Sequence, residues 1–186
     1  MTEVSSLTGR LLVATPALAD PNFDRAVVLL LDHDDEGSLG VVLNRPTPIT
    51  VGDILAPWAP LAGDPGVVFQ GGPVSLDAAL GLAVIPGDEG PLGWRRVFGA
   101  IGLVDLETPP ELLGPALGSL RIFAGYAGWG PGQLETELGE GAWYVVESEP
   151  GDVSSPSPET LWRSVLRRQR GELAIVATYP DDPSLN

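Results

Sequence analysis

The sequence predicts one domain that mixes α and β structure, and three observations carry that expectation. Short, apolar, β-branched runs recur along 186 residues, with a few short helical patterns between them. A chain of this length builds one sizeable core and not two comfortable ones. No composition shift or linker splits it into halves that could each hold a core, and no internal repeat is present, so residues 1–186 read as a single unit.

Taken in order, strands are predicted at 10–14, 26–32, 39–44, 66–70, 78–85, 100–104, 120–126, 142–147 and 173–178. Several are continuously apolar, the pattern of strands covered on both faces. The turn-rich HDDEGS segment should join 26–32 to 39–44 as a hairpin. A short helix is expected near 51–57. Another is expected at TPPELL, where Thr108 and Glu111 have capping-box spacing and Gly114-Pro115 stops the turn. The corner GWGPGQLETEL should turn into a helix from Gln133. The longest helix is predicted at SPETLWRSVLRRQRG: Ser157 as N-cap, Pro158 at the first position, and Leu161, Trp162, Val165 and Leu166 on one apolar face. Arg167, Arg168 and Arg170 crowd its C-terminal end, where the helix dipole favours cations, and Gly171 closes it. Residues 86–96 and 149–158 read as an exposed loop and a Pro/Ser-rich connector.

Composition excludes several functions. Cysteine is absent, which removes disulfides, thiolate nucleophiles and sulfur-ligated metals, and leads to the expectation of a cytoplasmic protein. No apolar run approaches the ~20 residues of a membrane-spanning helix. The formal charge is −15, and all ten cations are arginine. Lysine Schiff-base and P-loop chemistry are therefore unavailable. Such acidity also opposes binding to nucleic acid, which depends on counterion release by basic residues.

The motifs that could carry chemistry each meet a simpler explanation. DHDDEG (32–37) begins like a calcium loop, with Asp32, Asp34, Glu36 and Gly37 at the right spacing. Leu43 then stands where the bidentate glutamate belongs, and strands replace the flanking helices. An Asp- and Gly-rich hairpin tip explains the same residues. His33, the only histidine, could act as a general base beside Asp32 or Asp34, but Ser38 lacks a nucleophile-elbow context and no second imidazole completes a metal site. QGGPVS (70–75) could offer backbone N–H groups to an anion, or could simply bend tightly before Pro73. Four arginines in RSVLRRQR (163–170) could contact DNA, yet no helix-turn-helix accompanies them. GWGPGQ lacks the P-loop lysine and the dinucleotide-loop spacing, and Glu135 already sits near the positive end of the following helix. Tyr126, Trp129 and Gln133 remain there as possible contacts for a neutral polar ligand.

Three blocks resemble the YqgE/AlgH family of bacterial proteins: GRLLVATPALADPNFDRAVVLLLDHDDEGSLGVVLNRP, VFQGGPV and GYAGWGPGQLETELGEGAW. They occur in family order across about three quarters of the chain. Pro16, Asp20, Phe23, His33, Asn44, Gly71, Gly72, Tyr126, Trp129, Gln133, Glu135 and Trp143 are among the positions that fit; 86–96 and 149–158 depart from the pattern. The resemblance implies an α+β domain with a bent, partly barrel-like mixed sheet flanked by short helices. It also implies a protein of no established biochemical activity, though some members are labelled transcriptional regulators. It supplies no catalytic residue.

The reading that follows is a non-enzymatic, cytoplasmic domain, without cofactor or metal, that binds a protein or small ligand. Its expected groove gathers His33, Asn44, Gly71, Gly72, Tyr126, Trp129 and Gln133. The alternatives are a hydrolase that uses His33 with a neighbouring carboxylate, and a regulator that contacts DNA through the 163–170 arginines.

Overall fold

A computed structural model describes residues 6–18, 20–87, 90–169 and 171–179. In chain order the strands are β1 (Arg10–Ala14), β2 (Val27–Asp34), β3 (Gly37–Val42), β4 (Pro46–Thr50), β5 (Val67–Gln70), β6 (Val74–Val84), β7 (Trp94–Phe98), β8 (Ile101–Val104), β9 (Ser119–Trp129) and β10 (Trp143–Glu147). The helices are short: α1 (Val51–Ile54), α2 (Pro110–Leu113), α3 (Gln133–Gly139), α4 (Pro150–Val153), α5 (Leu161–Arg167) and α6 (Glu172–Val176).

The strands form one sheet in the order β10-β1-β2-β3-β9-β6-β8-β7, with β5 also on β9 and β4 on β5. Every pairing is antiparallel except β5 with β9. The sheet curls into an open half-barrel, so the fold is α+β, a single domain with a few short helices, as expected.

Alternation explains why so many strands are apolar throughout. Leu11, Val13, Val27 and Leu29 point to one buried cluster, and Leu12, Ala14, Val28 and Leu30 to a second on the opposite face. Further along the sheet, Leu82 and Phe123 join the first cluster, whereas Ala83, Leu120 and Ile122 enter a third around Trp58 and Trp94. Both faces are thus covered, and period-two side chains serve two cores. Leu161, Trp162, Val165 and Leu166 of α5 cap the first cluster, the face expected for that helix.

The strand β9 is the hub. It pairs with β6 along one edge, while its other edge passes from β5 (Phe69↔Phe123, Gln70↔Ala124) to β3 (Gly40↔Ala127). The handover falls at Gly125, whose φ of 77° lies in the left-handed region. Backbones crowd there. A Cβ on Gly125 would lie 2.7 Å from the Gly72 carbonyl oxygen, and one on Gly71 would lie 2.4 Å from the Gly125 oxygen. The Gly71 carbonyl accepts from Val42 N at 2.8 Å while Gly71 N donates to the Ala124 carbonyl at 2.8 Å, so one residue bridges β3 and β9.

Several local expectations need correction. Residues 173–178, predicted as a strand, contain helix α6. Leu173, Val176 and Ala177 share the inner face at i, i+3, i+4 spacing, whereas Ile175 is exposed, the period of a helix rather than a strand. The loop predicted over 86–96 is entered by β7, because Trp94 is buried and its indole N–H donates to the Ala83 carbonyl at 3.1 Å. β4 lies where no strand was predicted; its prolines are tolerated because it pairs only with β5. The 149–158 connector holds α4, closed by a capping box between Glu149 and Asp152, with Asp152 paired to Arg168 at 2.6 Å. The hydrogen bonds it donates to Asp152 hold the Arg168 guanidinium above its ordinary pKa. Thr108 forms no cap: Pro109 takes that place in α2. Ser157 likewise makes no capping bond; it precedes a 3₁₀ turn (Pro158–Thr160) that leads into α5. Arg170 lies outside the described residues.

Replacing Gly125 by Ala should cost about 3 kcal/mol or more, through left-handed strain plus a backbone clash. Gly151→Ala, whose added Cβ meets nothing within 4 Å, should stay within ~0.5 kcal/mol of the parent. Urea unfolding of the two variants checks this, and equal midpoints would contradict the hub assignment.

Candidate functional site

The corner after β9 satisfies itself. Gly132, at φ 73°, caps α3, and the Gln133 side-chain oxygen accepts from Gly130 N at 2.9 Å. Glu137, one turn on, collects three donors: Trp129 Nε1 at 3.1 Å, Trp143 Nε1 at 2.9 Å and Gln133 Nε2 at 3.0 Å. Phe23 packs against both indoles, with centroids 6.2 and 5.6 Å away, and an Asx turn from Asp20 to Asn22 N shapes the loop that delivers it. Trp129 is buried, and Tyr126 is half-buried against the main core. Trp129 and Gln133 thus have their polar groups engaged within the fold.

His33 is also inside. Its imidazole is 2% exposed, with Nδ1 2.6 Å from Ser38 Oγ across the hairpin, while Nε2 stands 3.8 Å from Glu135 Oε1, beyond hydrogen-bond reach. The hydrolase reading requires an accessible imidazole, and this one is buried. Asp34 Oδ1 accepts from Glu36 N at 2.8 Å, the hairpin role expected for the acidic tip. Among the described residues no group of three or more His, Asp or Glu could hold a metal ion.

Asn44 is a clamp. Its Oδ1 accepts from Val27 N at 3.0 Å and its Nδ2 donates to the Arg25 carbonyl at 2.9 Å. Arg25 is held at φ 54°, an uncommon conformation for a residue with a side chain. Backbone outliers of this kind cluster at functional sites. Here the outlier opens onto a depression of about 300 Å³ lined by Asp24, Arg25, Asn44, Arg45, Glu159, Trp162 and Arg163. The Arg25 guanidinium lies 4.4 Å from the Trp162 ring centroid and that of Arg163 5.8 Å. Trp162 is fixed from below by its Nε1 bond to the Ala14 carbonyl at 2.8 Å. Arg25 and Arg163 also donate to the Tyr179 and Ala177 carbonyls, at 3.4 and 2.5 Å, which ties down the residues just after α6. A second depression, of about 210 Å³, shares Arg45 and adds Pro21, Asn22, Val42, Gln70, Gly72 and Pro73.

The predicted groove therefore resolves into separate places. Asn44 and Gly72 flank the two depressions that share Arg45, with Gly71 in the seam behind. Trp129 lines a shallow acidic depression with Asp32, Asp34, Glu36 and Ser38, and buried His33 pairs with that Ser38. Gln133 engages Gly130 and Glu137. The arginines expected to face DNA diverge: Arg163 lines the depression, Arg168 pairs with Asp152 and Glu149, and Arg167 is exposed. Reading the sequence missed Arg25, Arg45 and Glu137. The i, i+4 spacing of Gln133 and Glu137 within α3 was the available signal for the last. Nothing local marks Arg25 and Arg45 as neighbours of Arg163. One further arginine is buried elsewhere: Arg121 donates to the Asp64 and Ser155 carbonyls at 2.9 and 2.8 Å, stacks on Phe69, and is pulled down to about 10 by desolvation.

The class defined so far is a single-domain α+β half-barrel with a basic depression at one rim and no helix, among the described residues, long and apolar enough to cross a membrane. The chain belongs to the AlgH-like family (DUF179), whose profile matches residues 11–174. A UPF0301 protein of Streptomyces avermitilis is 86% identical, covering 100% of this chain and 98% of its own. One from Thermobifida fusca is 53% identical, with 97% and 96% covered. The crystal structure of protein DIP2367 from Corynebacterium diphtheriae superposes with a TM-score of 0.89 at 30% identity, covering 96% and 95%. The solution structure of the AlgH protein from Pseudomonas aeruginosa gives 0.69 at 27%, covering 98% and 100%. These relatives establish the family and the fold; the family is one of uncharacterised function.

Truncating Glu137 to Ala strands two indole N–H groups and should cost about 2 kcal/mol or more. Glu137→Gln keeps one acceptor oxygen and should cost less. Chemical denaturation followed by tryptophan fluorescence measures both; a neutral Glu137→Ala would show that the corner does not rely on this acceptor.

Proposed function

We propose that this domain binds a small anionic ligand without chemically transforming it, in the depression bounded by Arg25, Arg45 and Arg163. The observation that supports it is convergence: three of the ten arginines of a chain with charge −15 meet at one 300 Å³ hollow. Guanidinium forks suit carboxylate and phosphate oxygens. Trp162 supplies an apolar floor, and the Asn44 clamp holds Arg25 in its strained backbone state before any ligand arrives. The three arginines are half-buried while Asp24 and Glu159 are exposed, so solvent screens the acids more than the cations. Any regulatory influence is then indirect, through ligand or protein contact rather than through DNA. A cytoplasmic location, where small anionic metabolites abound, belongs to the same reading.

A thermal-shift screen of carboxylates and phosphates against their uncharged amide or ester counterparts tests this. Anions should stabilise the domain and the uncharged partners should not. Arg45→Gln, with unchanged far-UV circular dichroism, should weaken the best anion by roughly tenfold or more. Equal responses to charged and uncharged partners would refute anion binding.

A further inference from the structure

Arg121 is a buried cation that the rim does not use. It lies on β9 opposite Leu82 of β6, on the face that carries Phe123 and the main apolar cluster. Only 3% of the residue is exposed, and its guanidinium sits 4.3 Å from the Phe69 ring centroid. Nη2 makes its hydrogen bonds, at 2.9 Å to the Asp64 carbonyl and 2.8 Å to the Ser155 carbonyl. Nε and Nη1 are closed off from solvent and meet no acceptor among the described residues. We propose that Arg121 is a separate, gated site for a small monocarboxylate, which displaces the Ser155 carbonyl and takes the guanidinium by a two-bond fork. Arg121 lines neither rim depression, so this site stands independently of any ligand bound there.

A buried charge is ordinarily met by an opposite charge or by a full set of hydrogen bonds. Arg121 has neither. Burial lowers its pKa to about 10, and no carboxylate offsets that loss. Nη2 carries one hydrogen along each edge of the planar guanidinium, beside Nε on one and beside Nη1 on the other. Each carbonyl therefore fills half of a fork whose other half is idle. A carboxylate in place of the Ser155 oxygen makes two charge-assisted bonds where the carbonyl makes one, and it neutralises the buried charge. A phosphate dianion would bring a second charge into the same apolar surroundings, where it goes unpaired. The gate is the strap 154–157. Before it, α4 is held by its capping box and by the Asp152–Arg168 pair; after it, Pro158 is buried at the start of the 3₁₀ turn. Between these anchors Ser154 and Ser155 are half-buried, while Pro156 and Ser157 are exposed. Among the described residues, the hydrogen bond that ties this strap to the sheet is the one Arg121 donates to Ser155. A ligand that takes over that bond releases the strap.

The test titrates ¹⁵N-labelled protein with acetate, acetamide and inorganic phosphate at constant ionic strength. It follows the Arg121 Nε–H signal together with the amide signals of Asp64, Ser154, Ser155 and Ser157. Acetate should move Nε–H, Ser154 and Ser155 along one saturating curve, and acetamide should move none of them. Arg121→Met should abolish the Ser155 response, whereas Arg45→Gln, which alters the rim, should leave it intact. A Ser155 response that disappears in Arg45→Gln would place the carboxylate at the rim and overturn the separate site. Phosphate that binds as tightly as acetate would overturn the carboxylate assignment. If acetate at tens of millimolar moves rim signals alone, or none, Arg121 only cross-links two loops and the proposal falls. That last outcome is read on the parent protein, so it holds even where Arg121→Met does not fold.

Discussion

Backbone proximity at three glycines holds the molecule in its shape. Gly71, Gly72 and Gly125 let the chain leaving β5 lie directly against β9, close enough that a single methyl on any of them would sit within 2.7 Å of a backbone atom. At this point β9 exchanges one neighbour for another, and Gly71 joins β3 to β9 through one donated and one accepted hydrogen bond. Without that bridge the β10-β1-β2-β3 half and the β6-β8-β7 half would share only the end of β9. The curl follows from the handover, and the curl encloses the main apolar cluster, to which both halves contribute. The same seam forms the wall behind the second depression, so the proposed site inherits its rigidity from the feature that makes the fold.

Around that seam the polar side chains divide into two kinds. Glu137, Asn44 and His33 are turned inward and satisfied by the protein: indoles for the first, strand backbone for the second, a serine hydroxyl for the third. Each removes the cost of burying donors or acceptors that would otherwise lack partners. The arginines at the rim are of another kind. They are half-buried and brought together from the β1–β2 connection, the β3–β4 connection and helix α5. Polar groups that merely complete a core do not need to converge from three distant segments on one hollow. Arg25 and Arg163 do tie down Ala177 and Tyr179 after α6, which accounts for part of their placement. It does not account for Arg45, nor for the left-handed backbone at Arg25.

What the sequence made legible follows the same physics. Continuously apolar runs such as 26–32 announced strands covered on both faces, because burial on two sides leaves no polar alternation. The run at 173–178 is too short to separate period two from period 3.6, and only packing on α5 decided for helix. Strand β7 was hidden by its own composition: two adjacent arginines after a Gly/Pro segment read as surface, and the sheet's outer edge can accept such a strand. The candidate site divides in the same manner. Asn44 and Gly72 were legible, although what made them conspicuous is structural, a clamp and a close approach. Arg25, Arg45 and Arg163 were illegible as a group, since side chains that meet only through tertiary folding leave no local spacing to find.

If the rim takes an anion, as proposed, the acidity of the rest of the chain bears on which one. Net charge of −15 argues against nucleic acid, and at first sight against any anion. Screening separates the two cases. At physiological ionic strength a charge is felt over about 8 Å, so a small monoanion seated in the rim interacts mainly with the nearest guanidiniums. A polyanion extends beyond that distance and lays its remaining charges against acidic surface. Under the proposed reading the same molecule could therefore take a small anion and still oppose a phosphate backbone. Lysine would serve this arrangement less well than arginine, because a planar fork stacks on Trp162 and still presents its edge to a carboxylate. Under the proposed reading the net acidity of the chain and its arginine rim act together: a small anion meets mainly the rim, and a polyanion also meets the acidity of the rest of the molecule.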